Sequence, residues 1–408
     1  MRYVIGLILC TIVLTTGCST LAFKQPRSVS SSFEPIKVNL QPKGVMVEKG
    51  VACLSNLNEL RIQNATDLRQ AQFLDSKIGW VSSQQSIFRT LDGGQTWDSL
   101  KVEIPTGSRL ASFFFSSPEN GWVAMVSGTN SAQNESRYSS WLSVTNDGGK
   151  TWTQRQAYDD LELNVVHFPN AKTGFAAGSR MVRDAPAYPE VFVSRTNDGG
   201  VTWKDLSSQI NNAIRNQFGK ANDYIVDIAF TSPANVTLLT GFGKLVASSD
   251  SGTSWKQVTQ FSDSRPQTGY QKLGFYQQST IVLSGTISQE GVWGDLVVSD
   301  GKASWITYEI NNLALFDVEP LAREELVVAG GAFTGHERSG SHYNGRLLPG
   351  VILRSMNGGE SWLEIYRSKT NQPIVDIIKV SQNQIYAVGN DGTFVNFELQ
   401  PCRAAKAR

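Results

Sequence analysis

Short apolar runs alternate with polar residues at every second position along most of the chain, and Gly-, Asn- and Asp-rich turns separate them. This is the pattern of many short half-buried strands, and no helical period of comparable length competes with it. The strands recur in groups. Phe73, Phe115 and Phe168 each stand six residues before a Gly79-Trp80, Gly121-Trp122 or Gly174-Phe175 pair, and an alternating strand follows each pair. Each group reads as four strands: an inner one ending near the Phe, a second starting at the Gly, a third such as 86–89, and a fourth starting at a tryptophan further on. Four strands in ~50 residues make one propeller blade.

The tryptophans set the register. TLDGGQTW (90–97), TNDGGKTW (145–152), TNDGGVTW (196–203) and SDSGTSW (249–255) are followed by the weaker SDGKASW ending at Trp305 and by SMNGGESW (355–362), with spacings of 55, 51, 52, 50 and 57 residues between tryptophans. The units fall at about 65–100, 110–155, 163–206, 225–258, 272–308 and 315–365, and a seventh, 374–397, stops short of a box and a fourth strand. An open strand edge leaves backbone groups unpaired. Residues 44–54, GVMVEKGVACL, are therefore expected to pair beside 393–397 and close an all-β, seven-bladed ring spanning 43–402, with 403–408 as a tail.

These octets resemble the Asp-box (BNR) repeat, and physical chemistry gives them an architectural part. A carboxylate opening a tight turn accepts hydrogen bonds from main-chain N–H groups just ahead of it. Glycines permit positive φ, and the indole fills space between hairpins. Asp92, Asp147, Asp198, Asp250 and Asp300, with Asn357 in the sixth copy, are thus expected to hold turns, and Trp97, Trp152, Trp203, Trp255, Trp305 and Trp362 to pack beside them. A group repeated in nearly every blade also contrasts with an active site, which occurs once.

The N-terminus stands apart from the ring. Arg2 precedes an apolar run from Val4 to Leu14, then Thr15, Thr16, Gly17 and Cys18. This resembles a bacterial lipoprotein signal (1–17), which implies cleavage before Cys18 and lipidation of that cysteine; an ordinary secretory signal is the alternative. Residues 18–42 read as a flexible tether. Export of either kind removes Cys10, and a lipidated Cys18 leaves Cys53 and Cys402 as a candidate disulfide in an oxidising compartment, with two free thiols the alternative. The expected location is the periplasmic face of the outer membrane in a Gram-negative host, or the thylakoid lumen side in a photosynthetic one.

A net charge of +1 without a basic run argues against a nucleic-acid partner. Function is expected on the face opposite the boxes, where the connections between second and third strands are long in units two, three, five and six (roughly 128–140, 179–190, 285–294 and 330–349). They carry Arg137, Tyr138, Arg180, Arg183, Tyr188, Trp293, His336, Arg338, His342, Tyr343 and Arg346, residue types that dominate protein interfaces. Glu135, Asp184, Glu290, Asp295 and Glu337 lie among them as counter-charges. His336 and His342 lack a third ligand at a telling spacing, so no metal is assigned. His167 reads as a channel or core residue, and no cofactor motif occurs.

Enzymes also use such boxes. Sialidases resemble six-bladed rings with an aromatic-Arg-Ile-Pro motif, against which this chain offers Leu60-Arg61-Ile62-Gln63; xyloglucanase-like enzymes join two propellers across a cleft bearing paired acids. From about 44 to 397 the chain resembles more closely the photosystem II stability/assembly factor family and its exported bacterial relatives, on its F-x5-G-W units and T-x-D-G-G-x-T-W boxes. That resemblance implies a non-enzymatic lumenal or periplasmic factor that binds a membrane-protein subunit during complex assembly; with the N-terminal signal, the expectation is a monomeric lipoprotein scaffold binding a protein or membrane-protein complex. The alternative is a sialidase-like propeller that binds or cleaves glycans.

Overall fold

The computed structural model describes residues 36–39, 43–45, 47–49, 53–130, 136–182, 188–214, 223–262, 269–276, 279–288, 291–299, 305–311, 313–334, 338–339, 342–343 and 346–402. Seven antiparallel four-stranded sheets form a ring of blades in chain order, each with its first strand innermost. The inner strands are Gln70–Phe73, Ser108–Phe115, Leu161–His167, Ile225–Phe230, Gly269–Tyr276, Leu313–Pro320 and Ile374–Lys379.

The sequence repeats have steric causes. The ring of Phe73 lies so close over Gly79 that a Cβ there would come within 2.3 Å of it, and Phe115 over Gly121 and Phe168 over Gly174 repeat the arrangement at 2.5 and 2.3 Å. Glycine at that spacing lets the aromatic ring cap the first hairpin of its own blade. The following tryptophan then packs on the next blade: Trp80 stacks on Phe115 with centroids 4.1 Å apart, and Trp122 on Phe168 at 3.7 Å. Such pairs add about 0.5–1.5 kcal/mol beyond the area they bury.

The box glycines lock neighbouring blades together. A Cβ on the second box glycine would collide with the preceding blade: Gly94 with Phe394 of blade 7, Gly149 with Leu100 of blade 1, Gly200 with Trp122 of blade 2 and Gly252 with Phe175 of blade 3. The same glycines have φ between 83° and 89°, so both space and backbone conformation exclude a side chain.

The ring closes through the N-terminus, with a strand displaced from the expected one. Leu54–Arg61 is the fourth strand of blade 7, antiparallel to Thr393–Leu399, with Leu54 opposite Leu399 and Arg61 opposite Thr393. Residues 44–54 were expected in that place. Instead Ile36–Asn39, Lys43–Gly44 and Val47–Lys49 add parallel fifth strands to the outer edges of blades 4, 5 and 6. Part of the segment read as a tether is therefore paired to the ring. The physical reason is exposure: the outermost strand of a blade faces solvent, so LSNLNELR is polar enough for that place, and apolar patterning does not mark it. Cys53 and Cys402 form a disulfide, with Cα atoms 4.5 Å apart, that staples the start of the closing strand to the end of blade 7.

One helix was not foreseen. Ser207–Ile214 follows a two-residue fourth strand in blade 3, and its Ile210 and Ile214 join Val191 and Val193 of blade 3 and Ile225 and Val246 of blade 4 in one apolar cluster. No helix among the described residues is long and apolar enough to cross a membrane.

Candidate functional site

The two faces of the ring differ in kind. On one, the described boxes double back on the first hairpin of their own blades through main-chain bonds such as Gly93 N–H to Lys77 O and Gly148 N–H to Glu119 O, at 2.9 Å each. Within the box Asp147 accepts from Thr151 N–H (2.9 Å), Thr151 Oγ1 (2.6 Å) and Thr145 Oγ1 (2.8 Å). Asp92, Asp198 and Asp250 repeat this set, Asp250 with Ser254 and Ser248 as its partners. The threonine hydroxyl is the leading cause at Asp92, Asp147 and Asp198; at Asp250 burial pushes upward, but the bonds from Ser254 and Ser248 outweigh it, and all four carboxyls are held at about 2. Asn357 keeps the turn without the charge, accepting from Ser361 N–H at 3.0 Å and donating to Ser361 Oγ at 2.9 Å. Residues 300–304 of the fifth box lie outside the described residues, and Trp305 begins the strand that follows.

The opposite face carries the long connections, which are hairpin arms rather than loops. In blade 2 the second strand reaches Asn130 and the third begins at Ser136, and three residue pairs from Gly128–Tyr138 to Asn130–Ser136 run past the inner strand, a projection of ~10 Å. The arm of blade 3 pairs Val182 with Tyr188, that of blade 5 pairs Thr286 with Trp293 and Ser288 with Gly291, and that of blade 6 pairs Thr334 with Arg346. A further two-stranded hairpin sets Arg338 opposite Tyr343 and Ser339 opposite His342. Arg137 stands opposite Thr129 on the blade 2 arm.

These placements sort the expected residues. Tyr138 is half-buried, its ring over Gly128 where a Cβ would approach to 2.8 Å. Arg180 is engaged within its own blade: its guanidinium is 3.1 Å from Asp205 and its Cζ lies 5.0 Å from the Phe192 ring centroid. Burial pushes the Asp205 carboxyl up, but bonds from Ser207 and Arg180 outweigh it and hold the group below the usual carboxylate range. Asp295, expected as a counter-charge on the rim, is instead fully buried in the third strand of blade 5. Arg183, His336, Glu135, Asp184, Glu290, Glu337 and Cys18 lie outside the described residues. Among those described, no three His, Cys, Asp or Glu side chains are grouped as a metal site.

Between the faces runs a central cavity of about 490 Å³ to which all seven inner strands contribute. A circuit of side chains joins those strands. Gln70 and Gln72 of blade 1 each clamp a main-chain amide of blade 2, at Phe113 (3.0 and 3.1 Å) and Phe115 (2.7 and 2.8 Å). Ser112 accepts from Val166 N–H in blade 3 (3.3 Å), and Asn164 donates to Ile225 O in blade 4 (2.9 Å). Asp227 accepts from Leu273 N–H in blade 5 (2.9 Å), and Lys272 there lies 3.9 Å from Asp317 of blade 6. Asp317 accepts from Ile377 N–H in blade 7 (3.0 Å). Asp376 completes the circuit on Ala71 N–H of blade 1 (2.7 Å). The chain carries a signal for this that the octets overshadowed: Ile225-Val226-Asp227-Ile228, Leu315-Phe316-Asp317-Val318 and Ile374-Val375-Asp376-Ile377 place an Asp just after a register shift in each inner strand. His167 lines the cavity, its ring 4.7 Å from Phe114 and 4.9 Å from Phe230.

No family model matches the chain. Among curated proteins it is 27% identical over 207 residues, half of this chain, to the photosystem II assembly lipoprotein Ycf48 of Synechococcus sp. (strain CC9902), and the match spans about half (53%) of that relative's length. Among solved structures it is similar to YCF48 from Cyanidioschyzon merolae, with a TM-score of 0.58 and 17% identity over 84% of this chain and 99% of the other. It is likewise similar to YCF48 bound to D1 peptide, with a TM-score of 0.57 and 14% identity over 87% and 99%. A GH74 xyloglucanase from Xanthomonas campestris aligns with a TM-score of 0.54 and 15% identity over 86% of this chain and 54% of the enzyme. The chain thus resembles the photosystem II assembly factors, in sequence over half its length and in fold over most of it.

Proposed function

We propose that the chain is a non-enzymatic, exported and lipid-anchored scaffold that holds a segment of a partner protein, part of a membrane complex under assembly, on its arm face. The observation that carries the reading is the sequence similarity to an assembly lipoprotein, a relationship reaching beyond fold alone. The layout supports it: the recurring box carboxylates are engaged in their own turns, while the arms bring arginines and aromatics to the opposite face. YCF48, in a complex with D1 peptide, is a propeller of the same fold, and a peptide-like partner for this chain follows by analogy.

The glycosidase alternative loses ground at Arg61. Its Nη2 donates to Asp391 O at 2.9 Å from the outer strand of blade 7, so it serves the closure of the ring at its rim.

Crosslinking in native membranes, affinity capture and mass spectrometry test the proposal. A membrane-protein partner recovered with the wild type, and labelled palmitate incorporation abolished by Cys18→Ser, are the expected results. Capture of no partner, or turnover of fluorogenic sialosides, would overturn it.

A further inference from the structure

A second concave site lies on the arm face beside the ring axis, distinct from the central cavity. It is a groove of about 780 Å³ between blades 1, 2 and 3. Gln84 and Gln85 come from the short turn of blade 1, Ser108 and Arg109 from the start of the blade 2 inner strand, Tyr138 from the root of the blade 2 arm and Glu162 from blade 3.

Three features of this lining define a ligand chemistry. First, Arg109 and Glu162 face each other across the blade 2–blade 3 boundary at 3.0 Å, both part-exposed. A charged ligand of either sign meets its counter-charge already paired, whereas a hydroxyl, donor and acceptor at once, can bridge the two without separating them. Second, Ser108 lines the groove with its hydroxyl turned away from solvent, and the exposed Gln85 side chain lies beside it. The Gln85 amide is held in place by donating to Ser108 O at 2.8 Å. Third, the Tyr138 ring rests on the bare backbone of Gly128, a rigid aromatic platform at the edge of these polar groups. An exposed amide, a paired guanidinium and carboxylate, and an aromatic platform together suit a neutral ligand rich in hydroxyl groups that has one apolar ring face.

We propose that this groove binds a neutral saccharide. The sugar ring stacks on Tyr138, and its hydroxyls bridge Arg109 and Glu162 and reach the Gln85 amide. The groove shares Gly128 and Tyr138 with the blade 2 arm, but its remaining lining lies off the arms, so sugar binding and partner capture are read by separate measurements.

The test is an array of neutral oligosaccharides probed with the purified full chain, followed by calorimetric titration of the best binder. Expected are saturable binding to at least one neutral glycan and an affinity that changes less than about twofold between ~50 and ~500 mM NaCl, because no net charge is neutralised. Tyr138→Ala should weaken binding about tenfold or more through loss of the stacking platform. Gln85→Ala alters only an exposed turn residue, so it tests the groove even where the Tyr138 variant is unstable, and should weaken binding about threefold to tenfold. Lys150→Ala, an exposed change on the box face, should leave binding unchanged. The proposal is overturned if no neutral glycan binds, if binding persists in both groove variants, or if the groove takes up an acidic peptide in a salt-dependent manner and no sugar.

Discussion

Asp376 of the last blade accepts a hydrogen bond from the main-chain N–H of Ala71 in the first, at 2.7 Å and away from solvent. This contact completes the circuit of inner strands from the inside, as Leu54–Arg61 completes blade 7 from the outside. Asp376→Leu strands the Ala71 N–H and should cost about 1–3 kcal/mol, read as a fall in the denaturation midpoint. Asp376→Asn keeps an acceptor oxygen and should lose less. Equal losses would mean that the hydrogen bond is not what matters at this position.

The disulfide encloses nearly the whole ring, with Cys53 and Cys402 separated by 349 residues in sequence. Removing it with Cys53→Ser and Cys402→Ser together should cost about 2–5 kcal/mol. Hydrogen exchange should then quicken first in Leu54–Arg61, the strand it fastens.

The box carboxylates make stability depend on acid. Asp92, Asp147, Asp198 and Asp250 are held at about 2, below the ordinary value of 3.8, so the folded state binds protons less readily than the unfolded one. Their contribution is therefore complete above about pH 4 and declines as pH falls through about 2. Asn357 occupies the same turn without titrating. Replacing all four Asp by Asn should accordingly flatten the loss of stability between pH 4 and 2 while the ring persists at neutral pH. An unchanged acid profile would remove the boxes from the account of acid sensitivity. Because Asp198 and Asp250 are exposed and Asp92 and Asp147 partly so, solvent screens each individual effect, and the fourfold variant is the informative one.

Lys244 lies 3.2 Å from Asp223, and both are buried beneath the turn that carries the exposed Phe242. Burial drives the Asp223 carboxyl up, with Lys244 opposing the shift. Lys244→Met leaves that carboxylate without its counter-charge and should cost about 3–5 kcal/mol; pairing it with Asp223→Asn should recover part of the loss. A single variant as stable as wild type would contradict this.

Much of the fold was legible because its determinants are local and repeated. Phe73 and Gly79 must meet for the first hairpin to close, Gly94 must lack a Cβ to clear Phe394, and successive blades repeat both requirements at intervals near 50 residues. What escaped depends on contacts distant in sequence. The parallel pairing of Ile36–Asn39 with blade 4 needs the ring in place before it has a partner, and the polar Leu54–Arg61 carries no burial pattern to mark it as the closing strand. The helix Ser207–Ile214 is short, and only its packing between blades 3 and 4 fixes it. On the arm face the residue types were readable, but not their company: Arg180 is held by Asp205, Asp295 is buried, and Tyr138 faces a groove whose other walls come from blades 1 and 3.

The division of labour between the two faces is tested most directly by site-specific photocrosslinking in cells that make the protein. A photoreactive phenylalanine at Tyr188, on the blade 3 arm, should give a discrete adduct with a membrane protein, and one at Lys150, in a box, should give none. An adduct from Lys150 with none from Tyr188 would place the working surface on the box face and contradict the account.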